Sequence, residues 1–219
     1  MTARTVTAAA LLLTSAFSTA LQAEGRLAQL YAPRPPADSA FVRVLQPAGK
    51  ATQVQVGPNA PQPAGSDHLA SAYNVVEGGK PFTVQIDGAT VGTLSVAAGN
   101  YQSVMLDGGT LRALPEASAG DNALKAELRF YNLVADCPTA QLQLKDGLAL
   151  FTEVSPFSNQ ARAINPVSAS LQAGCASAQT DVLAMPLLQP GDHYVLFLTG
   201  SAAAPTLRGE LSRTAPWTR

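Results

Sequence analysis

Short segments in which apolar and polar residues alternate recur along most of the chain. In QVQVG, which begins at Gln53, Val54 and Val56 point to one face. PFTVQIDG alternates in the same way and ends in the turn signal Asp87-Gly88. A period of two residues indicates half-buried strands, and no stretch shows the 3.6-residue period of an amphipathic helix. The pattern therefore predicts many short strands joined by turns.

Three of these segments have a second copy in the same order. SAFVRVLQ, from Ser39, resembles ALKAELRFYN, from Ala123, with Arg43 and Arg129 at matching positions between apolar neighbours. QVQVG resembles QLQLKDG, and GNYQSVMLDG resembles GDHYVLFLTG. Copies spaced by about ninety residues indicate two copies of one structural unit. We expect both arginines on the solvent side of their strands, with packed aliphatic stems.

The composition supports a β-rich fold. The chain of 219 residues has 17 glycines and 16 prolines, and only 13% of its residues are charged. We therefore expect an all-β protein of two tandem antiparallel β-sandwich domains, Ig-like or jelly-roll-like, after a signal peptide. The predicted boundaries are a signal peptide over 1–23, a first sandwich over 24–114, a linker over 115–122 and a second sandwich with a short tail over 123–219.

The first residues have the layout of a secretory signal peptide. Arg4 precedes an apolar run from about Val6 to Phe17, and small residues follow it. Cleavage is expected after Ala20 or Ala23. The run is shorter than the roughly 20 apolar residues of a membrane span, and no later stretch is long enough. We therefore expect an exported protein whose mature chain has no transmembrane segment.

The chain contains two cysteines, Cys137 and Cys175. Export permits a disulfide, and two cysteines allow one pairing. A metal site would need more ligands, a CxxC redox pair is absent, and a nucleophilic thiol would need a positioned base. We expect a structural disulfide.

Few residues suggest catalysis. The two histidines, in Ser66-Asp67-His68 and at His193, are both expected at the surface, and no GxSxG or HExxH motif occurs. Glu127 and Glu153 could in principle form a glycosidase pair, but nothing in the sequence brings them together. The net charge of −1, without a basic run, does not indicate nucleic-acid binding. We expect no catalytic residue, no metal and no cofactor.

Several segments together resemble one family. The chain resembles the AlgF family of alginate O-acetylation proteins in four segments: SAFVRV, Tyr131-Asn132-Leu133, RAINPVSASL from Arg162 and YVLFLTGS. RAINPV is the most specific of these segments. The resemblance implies two tandem β-sandwiches and a non-catalytic periplasmic protein needed for O-acetylation of an exopolysaccharide. It also implies partners, namely a periplasmic serine-type acetyltransferase and a membrane-bound O-acyltransferase. Alginate is the expected polymer, with cellulose as the alternative.

The segment RAINPVSASL joins a basic residue, a turn signal and a strand. Asn165 precedes Pro166, which favours an extended or turn conformation and places Pro166 at the start of a strand. Alternate residues of that strand are expected to face inward: Val167, Ala169 and Leu171. Arg162 could offer its planar guanidinium to a carboxylate of a partner or a uronate, or it could bond to loop carbonyls. We favour the carbonyl-binding role for Arg162, and we name Arg162, Asn165 and Pro166 as the candidate partner-contact residues.

Two functions remain open from the sequence. The first is a non-catalytic adaptor that binds the acetyltransferases. The alternative is a carbohydrate-binding module that positions the polymer for acetylation. The aromatic support for the second is weak, because the single tryptophan, Trp217, lies in the tail and the five tyrosines are scattered.

Overall fold

The computed structural model describes residues 34–116 and 122–217, and these residues form strands, turns and loops. The all-β prediction is thereby confirmed. The predicted signal peptide over 1–23 and most of the predicted linker lie outside the described residues. Pro35–Ala215 form one compact unit, whereas Arg34, Pro216 and Trp217 belong to a second unit. None of the described residues belongs to a helix that could cross a bilayer.

The described residues before the linker form two four-stranded sheets. Their strands are β1 (Ser39–Leu45), β2 (Thr52–Val56), β3 (Gln62–Ala64), β4 (Asn74–Glu77), β5 (Phe82–Ile86), β6 (Ala89–Leu94), β7 (Tyr101–Asp107) and β8 (Thr110–Pro115). The N-terminal inner sheet has the order β4-β1-β7-β8, and the N-terminal outer sheet has the order β3-β2-β5-β6.

The described residues after the linker repeat this plan. Their strands are β9 (Ala126–Asn132), β10 (Ala140–Leu144), β11 (Ala149–Val154), β12 (Ser158–Ile164), β13 (Ala169–Cys175), β14 (Ala178–Gln179), β15 (Leu183–Met185), β16 (His193–Ser201) and β17 (Ala204–Leu211). The C-terminal inner sheet has the order β12-β9-β16-β17. The C-terminal outer sheet has the order β11-β10-β13-β14, and β15 also pairs with β13.

The two halves have equivalent strand orders, which confirms the internal repeat. The three pairs of similar segments become β1 and β9, β2 and β10, and β7 and β16, at matching places in the sheets. Each half also contains one parallel pair within an otherwise antiparallel sandwich, β1 with β7 and β9 with β16. The parallel pairing is possible because the chain crosses to the outer sheet and returns between the two strands.

Side-chain alternation on β1 and β9 divides the interior into three layers of apolar contacts. Val42 and Val44 of β1 belong to the core between the N-terminal sheets, and Leu128 and Phe130 of β9 belong to the core between the C-terminal sheets. A third cluster joins residues of both inner sheets: Leu45, Met105, Leu114, Tyr131, Val195 and Phe197. The two inner sheets therefore pack against each other, and the four sheets form a stack in which the inner two are covered on both faces.

This stacking overturns the expectation for the two repeated arginines. Arg43 is 1% exposed and Arg129 is 8% exposed, so neither lies on a solvent face. Both residues point away from their own sandwich core, as the alternation predicts. The far side of each inner sheet is covered by the other inner sheet, and so the side chains enter a buried layer instead of water.

The RAINPVSASL segment connects the two C-terminal sheets. β12 of the inner sheet ends at Ile164, and β13 of the outer sheet begins at Ala169. Leu171 is fully buried, but Val167 is 39% exposed, so the expectation that Val167 faces inward is wrong. The strand period begins only after the chain has passed from one sheet to the other.

Cys137 and Cys175 form a disulfide, as the sequence predicts. Cys137 lies between β9 and β10, and Cys175 ends β13, where it pairs with Ala140. The bridge is buried in the C-terminal core. It therefore ties the connection from the inner sheet to the outer sheet.

We expect that replacing both cysteines with serine lowers the free energy of unfolding by about 3–4 kcal/mol, because the unfolded chain loses a constraint on a loop of this size. Chemical denaturation with and without a reductant measures the effect. The reductant should destabilise the wild type by a similar amount and leave the double variant unchanged. A wild type that is insensitive to reduction would contradict the prediction.

Candidate functional site between the two inner sheets

Arg43 lies at the centre of the layer between the inner sheets and bonds to both halves of the chain. Its Nε donates to Ser103 Oγ of β7 at 2.8 Å, within its own half. Its Nη2 donates to Tyr131 OH of β9 at 3.1 Å, and its Nη1 donates to Ser212 Oγ, just after β17, at 2.9 Å. One guanidinium thus joins four segments of the chain through directional bonds.

Aromatic rings surround the same guanidinium. The Arg43 Cζ atom lies 4.5 Å from the centre of the Tyr73 ring and 5.5 Å from that of Tyr131. The Phe197 ring centre is 5.9 Å away. At these distances the ring quadrupoles attract the cation, and the attraction is stronger where water is excluded. The rings therefore offset part of the cost of burying the charge.

Glu116 supplies the opposite charge. Its Oε1 accepts from Ser103 Oγ at 2.6 Å and from Tyr73 OH at 2.5 Å, and it lies 3.5 Å from Arg43 Nη2. Its Oε2 lies 3.7 Å from Arg129 Nε, and the side chain is 4% exposed. We name this group the Arg43–Glu116 cluster. Its members are Arg43, Tyr73, Ser103, Glu116, Arg129 and Tyr131.

Arg129 extends the cluster towards the surface. Its Nη2 and Nε donate to Glu127 Oε1 at 2.8 and 3.1 Å, and its Nη1 donates to Asn159 Oδ1 at 2.8 Å. The Asn159 side chain in turn donates to the Pro115 carbonyl at 2.9 Å, which ties β12 to the end of β8. The other Glu127 oxygen lies 3.6 Å from Nδ1 of the exposed His193. A continuous set of charged side chains therefore extends from the buried cluster to the exposed His193.

With Glu127 counted, two arginines face two glutamates, and these charges set the protonation states. Burial alone would raise the pKa of Glu116, but Arg43 and Arg129 outweigh it and lower that pKa below the ordinary value. Burial raises the pKa of Tyr73 and of Tyr131, so both phenols keep their protons. Tyr73 OH donates to Glu116 Oε1, and Tyr131 OH lies 3.0 Å from Ser103 Oγ. Within the described ranges every buried side-chain nitrogen or oxygen has a hydrogen-bond partner.

The chemistry of the cluster fits a structural role, in which its bonds link the two inner sheets. Ser103 contacts a carboxylate, but a serine nucleophile needs a base that removes its proton, and the lowered pKa makes Glu116 a weak base. Ser103 is also fully buried. The histidines stand elsewhere: the side chains of His68 and His193 are 57% and 60% exposed, and His68 Nδ1 lies 3.4 Å from Glu210 Oε2.

The predicted contact residues lie on the C-terminal half. Arg162 is exposed on β12, and its Nη1 donates to the Leu150 carbonyl of β11 at 3.2 Å. Gln160 makes the matching bond to the Thr152 carbonyl, also at 3.2 Å. Leu150 and Thr152 are alternate residues of an edge strand, so the two side chains cover carbonyls that would otherwise be open to pairing. This geometry corresponds to the carbonyl-binding interpretation of Arg162.

Asn165 and Pro166 follow in the connection to β13. Asn165 Oδ1 accepts a hydrogen bond from Lys125 Nζ, and Pro166 is partly buried. Partner contact at these residues and at Arg162 stays a prediction. Glu127 is committed to Arg129 and His193, whereas Glu153 is exposed on β11.

The sequence interpretation missed the cluster, although one signal was available. In SAFVRVL both sets of alternate positions are apolar, with Ala40 and Val42 on one face and Phe41 and Leu45 on the other. A strand of that kind is covered on both faces, and an arginine within it needs a buried partner. No comparable signal marks Glu116, which stands among the polar residues of the predicted linker.

Among the described residues, no group of three or more histidine, cysteine, aspartate or glutamate side chains is placed to hold a metal ion.

The described part of the chain is an all-β protein of two sandwiches that are joined face to face through a buried ionic cluster.

Comparison with known families shows the protein family to which the chain belongs. The model of the family described as alginate O-acetyl transferase AlgF matches residues 10–195, so the chain belongs to the AlgF family. This confirms the resemblance found in the sequence and implies a role in alginate O-acetylation.

Solved structures give weaker similarities. The C-terminal domain of AlgF from P. aeruginosa is 28% identical over 40% of this chain and 98% of that chain, with a TM-score of 0.36. A protein described as a cell adhesion protein from Bacteroides uniformis is 9% identical over 84% of this chain and 100% of that chain, with a TM-score of 0.29. No curated protein sequence matches the chain.

We expect the Glu116→Gln variant to lose about 3–5 kcal/mol of unfolding free energy, because it leaves Arg43 buried without its counter-ion. Chemical denaturation measures the loss. Asp107→Asn is the matched control: it breaks the exposed ion pair of Asp107 with Arg112 and should cost no more than about 1 kcal/mol. Equal losses in the two variants would show that the buried pair has no special weight.

The cluster also predicts how stability depends on pH. Burial opposes the shift, but the arginines, and His193 beside Glu127, lower the pKa of Glu116 and of Glu127 below the ordinary 4.5. A carboxylate whose pKa is lower in the folded state than in the unfolded state stabilises the fold fully above the unfolded-state pKa. This contribution is lost as pH falls through the folded-state pKa. Glu127 raises the pKa of His193 above 6.5, so that contribution is complete below 6.5 and is lost as pH rises through the folded-state pKa.

We therefore expect these groups to stabilise the fold most between pH 4.5 and 6.5. Thermal melting across the pH range measures it. Glu116→Gln should weaken the acid-side loss, and Asp107→Asn should keep it. An unchanged acid limb in Glu116→Gln would count against the assignment.

Proposed function

We propose that the chain is a non-catalytic accessory protein of the periplasm, required for O-acetylation of an exopolysaccharide of the alginate type. It acts as an adaptor that binds a periplasmic serine-type acetyltransferase and, beside it, a membrane-bound O-acyltransferase. Membership of the AlgF family supports the pathway, and the exported character expected from the first residues agrees with the compartment.

The observation that carries the adaptor role is the joint between the inner sheets. Two separate sandwiches would reorient independently about their linker, whereas Pro35–Ala215 form one compact unit. Directional bonds to Arg43, together with the ionic contacts of Glu116, restrict rotation of one sheet on the other. A body of this kind presents distant surfaces at a fixed spacing, which suits a protein that holds two partners in register.

The chemistry of the described polar groups also favours binding over catalysis. Acyl transfer through serine needs a nucleophile, a base and an orienting group in contact. Here the carboxylate beside Ser103 is a weak base in a closed layer, and each histidine ring faces a glutamate at the surface. These groups contribute to folding.

The predicted partner contact is the face of the C-terminal half around Arg162, Asn165 and Pro166. Arg162 is exposed, and the rest of its guanidinium fork remains able to meet a carboxylate while one nitrogen covers the Leu150 carbonyl. Its replacement should therefore weaken a complex more than it weakens the fold.

The test is co-purification of the full chain with a periplasmic serine-type acetyltransferase from the same organism. We expect a stable complex, and we expect Arg162→Gln with Asn165→Ala to weaken it several-fold while the melting temperature changes little. Arg112→Gln, another partly exposed arginine, serves as the control and should leave the complex unchanged.

Two results would overturn the proposal. One is the absence of any complex with either acetyltransferase together with normal acetylation in a deletion strain. The other is acetyl transfer to the polymer by the purified chain alone.

A further inference from the structure

β6 forms one edge of the N-terminal outer sheet, and no strand of the described ranges pairs with its outer side. The strand covers six residues, Ala89–Leu94, with the sequence ATVGTL. An open edge offers its backbone N–H and C=O groups to any extended chain. Proteins usually block such an edge with charged side chains, with proline or with a covering group. β6 contains neither a charged residue nor a proline.

The other edges of the two outer sheets are protected within the part of the chain that the structure describes. β3 is three residues long and contains Pro63. β11 contains Glu153, and the carbonyls of Leu150 and Thr152 on this strand accept from side chains of β12. β14 and β15 are only two and three residues long.

The edges of the two inner sheets are protected in similar ways. Each of the longer edge strands, β8, β12 and β17, contains an arginine. β4 is four residues long, and its Val75 carbonyl accepts from Asn59 Nδ2 at 3.0 Å. Among the described edge strands, β6 therefore stands out as a six-residue strand that is neutral and uncovered.

The backbone of β6 points to the open side at Thr90 and Thr93. On the neighbouring β5, the Thr83 carbonyl accepts from the Gly57 N–H at 2.8 Å, on the side of β2. Alternate residues of a strand bond to the same side, so Gln85 also bonds towards β2. Thr90 lies opposite Gln85, and Thr93 lies opposite Thr83. The N–H and C=O groups of both β6 threonines therefore point away from β5.

The sheet behind this edge carries no charge. None of its strands, β2, β3, β5 and β6, contains aspartate, glutamate, lysine or arginine. Exposed positions on these strands include Gln53 and Thr83, and the two β6 threonines are exposed as well. A surface for a charged partner would carry the opposite charge, whereas two neutral copies can approach without like-charge repulsion. The chemistry of this edge therefore fits a second copy of the same chain.

We propose that β6 pairs antiparallel with β6 of a second copy, about a twofold axis between Val91 and Gly92. Thr90 then lies opposite Thr93 of the partner subunit, and the two residues exchange both backbone bonds. Threonine pairs across strands also stabilise a sheet. This register uses both outward-pointing threonines of each copy, and the two four-stranded outer sheets become one continuous sheet.

The register shift of β6 does not oppose this pairing. The shift lies between the Thr90 and Thr93 pairs with β5, which is why two residues three positions apart point to the same side. Both copies carry the same shift, so the twofold axis matches it across the interface. The pairing goes beyond the adaptor role and does not depend on it, although a dimer presents every adaptor surface twice.

Sedimentation equilibrium of the purified chain tests the self-association. We expect a monomer–dimer equilibrium with a dissociation constant on the order of 10–100 µM, because the paired edge is short. Thr93→Lys should weaken the dimer about tenfold, since it adds a charge to the paired edge of each copy. Thr152→Lys is the matched control, because it makes the same substitution at an exposed threonine of β11, an edge strand of the other outer sheet. It should leave the dissociation constant unchanged.

Cysteine cross-linking tests the register. A mixture of Thr90→Cys chains and Thr93→Cys chains should form a disulfide-linked dimer under mild oxidation, because residues directly opposite each other are within reach of a disulfide. Either variant alone should cross-link several-fold less, since identical positions of the two copies lie roughly 10 Å apart in this register. The native disulfide between Cys137 and Cys175 is buried and does not take part.

Several results would exclude the pairing: a chain that stays monomeric at millimolar concentration, equal self-association of Thr93→Lys and the wild type, or an equal loss in Thr152→Lys. Cross-linking of each cysteine variant alone to the extent of the mixture would exclude the register. Melting curves confirm that the variants are folded, and Thr90→Lys is a second edge variant if Thr93→Lys unfolds. A dimer without an acetyltransferase complex would support the pairing and remove the adaptor role, and the opposite pair of results would do the reverse.

Discussion

The buried interaction of Arg43 with Glu116 is the constraint on which the packing of the two halves depends. An arginine and a glutamate that are both almost fully withdrawn from water are costly unless each has its partners. Here the partners come from both halves, since Ser103 and Tyr73 precede the linker and Arg129 and Tyr131 follow it. The charges are satisfied only when the inner sheets face each other in one register. The apolar cluster between the sheets provides contact area, and the ionic cluster provides the specific orientation.

The same contact between the halves accounts for the surface features. Where the inner sheets touch, arginine and glutamate are enclosed and act as a joint. Beyond Phe197, Arg208 of β17 donates to the carbonyls of Ser66 and Asp67 and so links the two halves at the edge of this contact. A body in which the two sandwiches are fixed to each other suits the proposed adaptor role.

Much of each sandwich could be predicted from local pattern because strand period and turn residues are local properties. Alternation in QVQVG and QLQLKDG found β2 and β10, and self-similarity found the repeat that the equivalent strand orders confirm. The disulfide followed from two cysteines in a chain expected to be exported. The prediction failed for Val167, where the chain crosses between sheets, and for Arg43 and Arg129, which were expected in water. Alternation states which residues share a face, but it does not state what covers that face.

The sequence by itself determined that this protein is a duplicated β-rich chain with one disulfide and the motifs of the AlgF family, because these depend on residue types and their spacing along the chain. Only the tertiary structure decided that the face of each inner sheet that points away from its own sandwich core is buried. It also decided that Glu116, in the predicted linker, is the counter-ion of Arg43, and that Arg208 links the two halves at the edge of their contact. Those facts join residues tens of positions apart or more. Their proximity arises from the packing of one sheet on another. The apolar residues on both faces of β1 indicate that a cover exists, but not which residues supply it.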